Sequence, residues 1–174
     1  MRRGEAVGHK WIDLYLHARV ASVRRSLRVV DGLTLVSEPK TAKARRQVAL
    51  DPATAEALAR WRTRQKAERL QFGEAWVDTG YVFTKEDGNF LHLDNVMVVF
   101  RRVVSLAGVP VISLHDLRHT SATLALAAGV HPKVVQERLG HSSIGITLDT
   151  YSHVVQGMQA DAAALVGRLL TGGE

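Results

Sequence analysis

Residues 115–151 read HDLRHTSATLALAAGVHPKVVQERLGHSSIGITLDTY, and this stretch carries the most informative pattern of the chain. Just before it, Ser113 has capping-box spacing to Asp116, which predicts a helix beginning there. Gly129 suits a left-handed helix end, and His131-Pro132 favours the start of a second helix. The stretch therefore predicts two short helices joined at a glycine.

Four side chains with reactive or ionic groups lie along this stretch. His115 and Arg118 are three residues apart, so they share one face of the first helix. Gly140 predicts the end of the second helix and leaves His141 at a helix-to-loop junction, and Tyr151 follows ten residues later. This spacing predicts an anion site beside a possible nucleophile. Apolar residues on another side of the first helix are expected to pack inward: Leu117, Leu124 and Ala128.

A zinc site is the competing interpretation of the same histidines. His115 and His119 are four residues apart on the predicted helix, which is a zinc-ligand spacing. However, HDLRH lacks the glutamate of the HExxH motif, and Arg118 would lie against the metal. The chain also has no cysteine. We therefore expect neither a metal nor a cofactor.

The charge of the chain is unevenly distributed. The net charge is +6, but residues 1–69 hold 16 Lys and Arg against 7 Asp and Glu, whereas residues 70–174 hold 7 against 10. A basic half of this kind is typical of proteins that bind nucleic acid, although solvated helix and strand faces are the simpler alternative.

The bulk composition is that of a globular domain. A chain of 174 residues with 46% hydrophobic and 23% charged residues predicts one domain with a real core. No apolar run approaches the roughly 18–20 residues of a membrane span, and Arg2, Arg3 and Glu5 occupy the place of a leader's apolar region. We expect no membrane association and a cytoplasmic location.

Hydrophobic periodicity and turn signals predict a mainly α-helical α+β fold with a small three-stranded antiparallel sheet. Asp31-Gly32 is a hairpin signal, and Asp51-Pro52 reads as the cap and first residue of a helix. Asp94 can cap another helix. The predicted strands are 20–30, 33–37 and 46–50, and the further helices are 52–70, 95–107 and an amphipathic tail at 155–170.

The motifs of the opening stretch resemble the C-terminal signature of tyrosine recombinases, the phage integrase family. They are His115-x-x-Arg118, Leu139-Gly140-His141 and Tyr151, and the match extends through RHTSAT and LGHSSI. The resemblance implies an integrase-like catalytic domain that cleaves and rejoins DNA through a 3′-phosphotyrosine intermediate without a cofactor.

The beginning of the chain extends this resemblance. Family members carry a catalytic arginine in a segment similar to TGLRxGE, followed by Trp-x-Asp, and the sequence Arg2-Arg3-Gly4-Glu5 with Trp11-Ile12-Asp13 matches it. The resemblance implies Arg2 as catalytic and Glu5 as its supporting acid. Outside such a motif, a terminal arginine would be an ordinary disordered residue.

A catalytic lysine is also implied by the resemblance. Family members carry it on the hairpin that here contains PKTAK, where Lys40 is the closest match and Lys43 is the alternative. A turn lysine judged by itself would be a solvated charge.

The resemblance assigns a role to each member of this set. Arg2 and Arg118 bind the non-bridging oxygens of the phosphate, and Lys40 protonates the leaving oxygen. His115 accepts or orients the tyrosine proton, and His141 donates to the phosphate. Tyr151 is the nucleophile.

The resemblance also implies an organisation and partners. Residues 1–174 are expected to form the catalytic domain, without the N-terminal core-binding domain and the first catalytic-domain helices. The tail at 155–174 is expected either to pack on its own domain or to be exchanged between protomers of a homotetramer on a double-stranded DNA site, in a nucleoid-associated protein. The alternative is a truncated, catalytically inactive remnant that still binds DNA.

Overall fold

The computed structural model describes residues 1–37 and 45–171, and for residues 153–161 it describes the backbone alone. The chain divides into two compact units, Met1–Asp116 and Leu117–Glu174. The division falls in the first turn of a helix that begins at Leu114.

The described strands form two separate antiparallel sheets in the first unit. A small three-stranded antiparallel sheet is present as predicted, but the predicted strands do not form it together. Its order is β1-β2-β5, its first strand was not predicted, and β3 pairs with β4 in a separate hairpin. The strands are β1 (Leu14–Tyr15), β2 (Val20–Val23), β3 (Ser26–Val30), β4 (Leu33–Ser37) and β5 (Arg46–Ala49).

The prediction of one continuous strand over residues 20–30 is wrong. The strand breaks at Arg24-Arg25, and the guanidinium groups of both residues form ion pairs with Asp13. The chain then continues in the second sheet. The predicted hairpin turn at Asp31-Gly32 is confirmed, since both residues have positive φ angles, 51° and 75°, as a type I′ turn requires.

Helices dominate the rest of the described chain and confirm the mainly helical α+β class. They are α1 (Arg3–Val7), α2 (Pro52–Phe72), α3 (Leu93–Ala107), α4 (Leu114–Ala127), α5 (Pro132–Leu139), α6 (Ile144–Thr150) and α7 (Ser152–Thr171), with 3-10 turns at Trp11–Asp13 and Gly73–Ala75. Helix α6 was not predicted, and α7 is longer than the predicted tail.

The caps show which local signals determine the helix starts. Asp51 accepts a hydrogen bond from the Thr54 amide at 3.0 Å and begins α2, as predicted. His92, not Asp94, is the N-cap of α3, because the chain already turns helical at Leu93.

Each unit has its own apolar core. In the first unit, one cluster joins Val7, Leu27 and Leu93, and another joins Leu14, Ala21 and Val82. In the second unit, the core is formed by Ala122, Leu126, Val135, Leu139 and Tyr151.

The prediction that Leu117, Leu124 and Ala128 pack inward is wrong, because all three are exposed. The buried residues of α4 are Arg118, Ala122 and Leu126, which recur every four residues along a different side of the helix. The inward side therefore carries an arginine. Within residues 1–37 and 45–171, the helices are all too short or too polar to cross a membrane.

Candidate active site

The predicted capping box at the start of α4 is confirmed. The Ser113 amide donates to the Asp116 carboxylate at 2.7 Å, and the Asp116 amide donates to the Ser113 hydroxyl at 3.2 Å. This arrangement sets the first turn of the helix and with it the position of His115. His115 belongs to the first unit, and Arg118 to the second.

Arg118 is held by burial and by a backbone carbonyl. Only 7% of the residue is exposed, and its Nη2 atom donates to the carbonyl oxygen of Leu139 at the end of α5. Gly140, the predicted end of this helix, follows with a φ of 68° in the left-handed conformation. The helix end therefore fixes the guanidinium group of α4.

His141 follows this helix end, and hydrogen bonds hold both its backbone and its side chain. Its amide donates to the Gln136 carbonyl at 3.1 Å, and the Gln136 side chain donates to the His141 carbonyl. The imidazole Nδ1 lies 2.9 Å from the hydroxyl of Thr147, which is fully buried in α6. The helix that was not predicted thus orients the predicted histidine.

Tyr151 is buried in the core of the second unit. It is 2% exposed, and its hydroxyl lies 2.9 Å from the Nδ1 atom of His119. Burial raises the pKa of the Tyr151 hydroxyl above its ordinary value, and the positive charge of Arg118 opposes that rise. A neutral phenol inside the core must be uncovered and deprotonated before it can attack a substrate.

Arg2 and Glu5 are brought together by α1. The Arg2 amide donates to the Glu5 carboxylate at 2.7 Å, and the Arg2 guanidinium forms an ion pair with it at 3.2 Å. Helix α1 lies so close to β3 that a Cβ atom added at Gly4 would be 2.2 Å from the carbonyl oxygen of Leu27. The glycine of the predicted motif therefore permits this packing.

Glu5 has a second partner, Arg46, that was not predicted. The two guanidinium nitrogens of Arg46 donate to the two carboxylate oxygens at 3.1 and 2.8 Å. Burial would raise the pKa of Glu5, but the hydrogen bonds from Arg46 and the Arg2 backbone and the charges of both arginines outweigh it and hold the pKa at about 2. Glu5 is therefore an anion throughout the neutral range.

Two partners in these clusters were not predicted, although each carries a signal: Arg46 was not considered, and His119 was considered only as a zinc ligand. Arg46 shares a strand face with the buried Val48, so an arginine there requires a carboxylate partner. His119 lies three and seven residues before the buried Ala122 and Leu126, which places it on the inward side of α4.

The predicted lysines Lys40 and Lys43 lie outside the described residues. In the described part of the chain, the structure contains no group of three or more His, Cys, Asp or Glu side chains arranged to hold a metal ion. The structure therefore places Arg2 with Glu5 in the first unit, and Arg118, His141 and Tyr151 together in the second.

A family profile and two curated relatives match most of this chain. The sequence profile of the phage integrase family matches residues 1–157. A tyrosine recombinase XerC-like protein of Caldanaerobacter subterraneus subsp. tengcongensis is 33% identical over 97% of this chain, which covers 46% of that protein. The ICEBs1 integrase of Bacillus subtilis is 27% identical over 98% of this chain and 46% of its own length.

The fold is likewise similar to a solved one. The structure of the Tn1549 transposon integrase in complex with circular intermediate DNA matches with a TM-score of 0.76 at 26% identity, over 97% of this chain and 56% of that one. This chain spans about half the length of the curated relatives that it matches.

Proposed function

This chain belongs to the phage integrase family, and on that premise we propose that it is the catalytic domain of a tyrosine-type site-specific DNA recombinase. It cleaves one strand of double-stranded DNA and rejoins it through a 3′-phosphotyrosine intermediate. The observation that carries the proposal is that Tyr151 packs in one core with Leu139, whose carbonyl oxygen accepts a hydrogen bond from Arg118.

The chemistry is a pair of transesterifications. The Tyr151 oxygen attacks the scissile phosphorus, the bond to the 5′ oxygen breaks, and that oxygen takes up a proton. The new phosphotyrosine ester keeps the energy of the broken bond, so a 5′ hydroxyl can attack it and release the tyrosine without ATP. A phenol titrates near pH ~10, so the nucleophile needs a base and a positive environment.

The two arginines stabilise the charge that develops on the non-bridging oxygens. A guanidinium group is permanently charged and offers parallel donors that match two phosphate oxygens. Arg118 is aimed by the carbonyl of Leu139, and Arg2 by Glu5, which Arg46 holds in place from its other side. Preorganised donors of this kind are typically worth roughly 10²–10³ in rate.

The proton transfers are assigned to the remaining residues. His119 is the hydrogen-bond partner of the resting Tyr151 hydroxyl and receives or shares its proton as the phenol leaves the core. His115 accepts or orients that proton at the phosphate, and His141 donates to a phosphate oxygen. Lys40, or Lys43 in its place, protonates the leaving 5′ oxygen.

A second candidate function is a DNA-binding protein that does not cleave. The burial of Tyr151, with 2% of the residue exposed, favours it, because an enclosed phenol reaches a phosphate only after it has left the core. The basic charge of residues 1–69 supports DNA binding under either candidate.

The organisation and location are part of the same proposal. Residues 1–174 form the catalytic domain, and the tail is exchanged between protomers of a homotetramer on the DNA site. Leu165 and Leu169 of α7 are 53% and 76% exposed, so this tail presents apolar surface that can pack against a neighbouring protomer. The protein works in the cytoplasm, associated with the nucleoid.

Trapping the covalent intermediate tests the proposal. The protein is incubated with a randomised library of duplexes nicked just downstream of each possible cleavage point, so that the short leaving strand diffuses away. The strand that becomes attached is labelled at its 5′ end, and denaturing electrophoresis detects an adduct. We expect an adduct with the unchanged protein and with the control Tyr15→Phe, and none with Tyr151→Phe.

The other outcomes separate the two candidates. If the unchanged protein forms no adduct but binds the same DNA with strong salt dependence, the non-cleaving function is supported. If Tyr151→Phe still forms the adduct, the assignment of the nucleophile is wrong.

A further inference from the structure

A fully buried hydroxyl group of helix α6 lies against the imidazole ring of His141. Thr147 is 0% exposed, and its Oγ1 atom is 2.9 Å from the Nδ1 atom of His141. Both residues belong to the second unit. A hydrogen bond therefore joins these two atoms, with its proton supplied either by the hydroxyl or by the ring nitrogen.

The surroundings of the Thr147 hydroxyl decide which atom supplies the proton. A threonine inside a helix can donate to the carbonyl oxygen four residues earlier, as Thr150 does to Ile146 at 2.6 Å. Among the described residues, the Thr147 hydroxyl forms no such bond, and Nδ1 of His141 is its one hydrogen-bond partner. A buried donor without an acceptor is destabilising. The hydroxyl therefore donates its proton to Nδ1.

This direction of the hydrogen bond determines the tautomer of the neutral imidazole. Nδ1 accepts the Thr147 proton and so carries none of its own, which leaves the ring proton on Nε2. With the opposite tautomer, Nδ1 would donate to Oγ1, and the buried hydroxyl proton would have no acceptor among the described residues. The burial of Thr147 therefore favours the Nε2–H form of His141.

We infer that Thr147 is a positioning residue, which holds His141 with its ring proton on Nε2, the nitrogen that donates to the phosphate oxygen. The inference rests on the proposed function, because it presumes that His141 donates to a phosphate. A neutral imidazole has one ring N–H, so with Nδ1 as the acceptor Nε2 is the donor. The backbone of His141 is fixed separately by Gln136. Thr147 therefore acts on the ring of His141 and not on its loop.

The tautomer is measured in the absence of DNA. The unchanged protein is prepared with ¹⁵N-labelled histidine, and long-range proton–nitrogen spectra are recorded at about pH 8, where an ordinary histidine is neutral. The chain has eight histidines, and the signals that disappear in His141→Gln are those of His141. We expect a protonated Nε2 and an unprotonated Nδ1. A protonated Nδ1 would overturn the inference.

Two substitutions of Thr147 separate its hydroxyl from its shape. Thr147→Val keeps the branched shape but removes the hydroxyl, so the Nδ1 signal of His141 should move downfield as its hydrogen bond is lost. The rate of covalent adduct formation should fall by roughly 10–100-fold, the range typical of residues that orient a functional histidine. Thr147→Ser keeps the hydroxyl and should retain a rate and a His141 spectrum close to those of the parent.

The matched control is Thr150→Val, the same chemical change on the same helix. The Thr150 hydroxyl donates to a backbone carbonyl, so its removal should leave the rate and the His141 signals unchanged. The inference is wrong if Thr147→Val keeps the parent rate, or if Thr147→Ser or Thr150→Val is slowed as much as Thr147→Val. If Thr147→Val does not fold, the tautomer of the unchanged protein and the rate of Thr147→Ser decide.

Failure of this inference is distinguishable from failure of the proposed function. A protein that forms the Tyr151 adduct while Nδ1 of His141 is protonated contradicts the role of Thr147 alone. A protein that has the proton on Nε2 but forms no adduct contradicts the proposed function, and with it the phosphate contact of His141, whereas the hydrogen bond from Thr147 stands.

Discussion

Arg2 and Arg118 are proposed to bind the same phosphate, yet the protein holds them by different means. Arg2 is half exposed and depends on a buried anion, Glu5, which is itself clamped by Arg46. Arg118 is buried and donates to a neutral backbone carbonyl at a helix end. The position of Arg2 depends on the ionised carboxylate of Glu5, whereas the position of Arg118 depends on burial and a hydrogen bond. The two regions should therefore respond differently to pH and to substitution.

The largest expected effect comes from removing the anion of the first region. Glu5→Gln leaves the buried guanidinium of Arg46 without its counter-charge, and loss of one partner of a buried pair costs about 3–5 kcal/mol. We expect that decrease in the unfolding free energy, measured by urea denaturation at pH 7. The control Glu56→Gln breaks an exposed pair and should cost less than about 1 kcal/mol. Equal losses in both variants would show that Arg46 does not depend on Glu5.

The second region is tested by a change that keeps its charge. Arg118→Lys retains a cation but loses the planar donor set, which reaches Leu139 and is proposed to bind a phosphate. The rate of covalent adduct formation should fall by roughly 10²–10³. Arg138→Lys, an exposed change on α5, is the control and should retain the parent rate. A full rate in Arg118→Lys would mean that charge alone suffices at this position.

Acid should selectively weaken the ion pairs that Glu5 forms with Arg2 and Arg46. The folded pKa of Glu5, about 2, lies below the ordinary value of 4.5. Its contribution to stability is therefore complete above pH 4.5 and is lost as the pH falls towards 2, by about 3 kcal/mol in total. We expect the stability difference between the unchanged protein and Glu5→Gln to narrow over this window in urea titrations at several pH values. If the stability difference between the two proteins stays constant from pH 5 to pH 3, Glu5 does not stabilise the fold as an anion.

The smallest expected effect concerns the hydrogen bond that holds the resting nucleophile. A double-mutant cycle of His119→Phe and Tyr151→Phe isolates the contact between the two side chains. A single buried hydrogen bond should give a coupling free energy of about 1 kcal/mol. The same cycle with Tyr15→Phe in place of Tyr151→Phe should give additive losses. Additivity in both cycles would mean that the 2.9 Å contact contributes no stability.

The features that could be predicted from the sequence are those specified by nearby residues. These features depend on a few adjacent positions: the Ser113–Asp116 capping box, the left-handed Gly129, the helix end at Gly140 and the Asp31-Gly32 turn. The family resemblance proposes Arg2, Arg118, His141 and Tyr151 as site residues from short motifs in the same way, and their catalytic roles stay predictions.

The features that could not be predicted depend on contacts between distant segments. Arg46 binds Glu5 across 41 positions, and that pairing requires both the approach of α1 to β3 and the register of β5. The break at Arg24-Arg25 depends on Asp13, which periodicity cannot reveal. The inward side of α4 was misjudged because Leu117 and Leu124 are apolar, whereas tertiary packing placed Arg118 inside.

Covalent attachment of Tyr151 to DNA is tested by identifying the residue that is linked in the adduct. The adduct from the nicked library is digested with nuclease and protease, and mass spectrometry locates the phosphonucleotide. The chain has three tyrosines, so the result is unambiguous. A 3′-phosphonucleotide on the peptide containing Tyr151 is predicted, whereas attachment at Tyr15 or Tyr81, or to a residue other than tyrosine, would contradict the account.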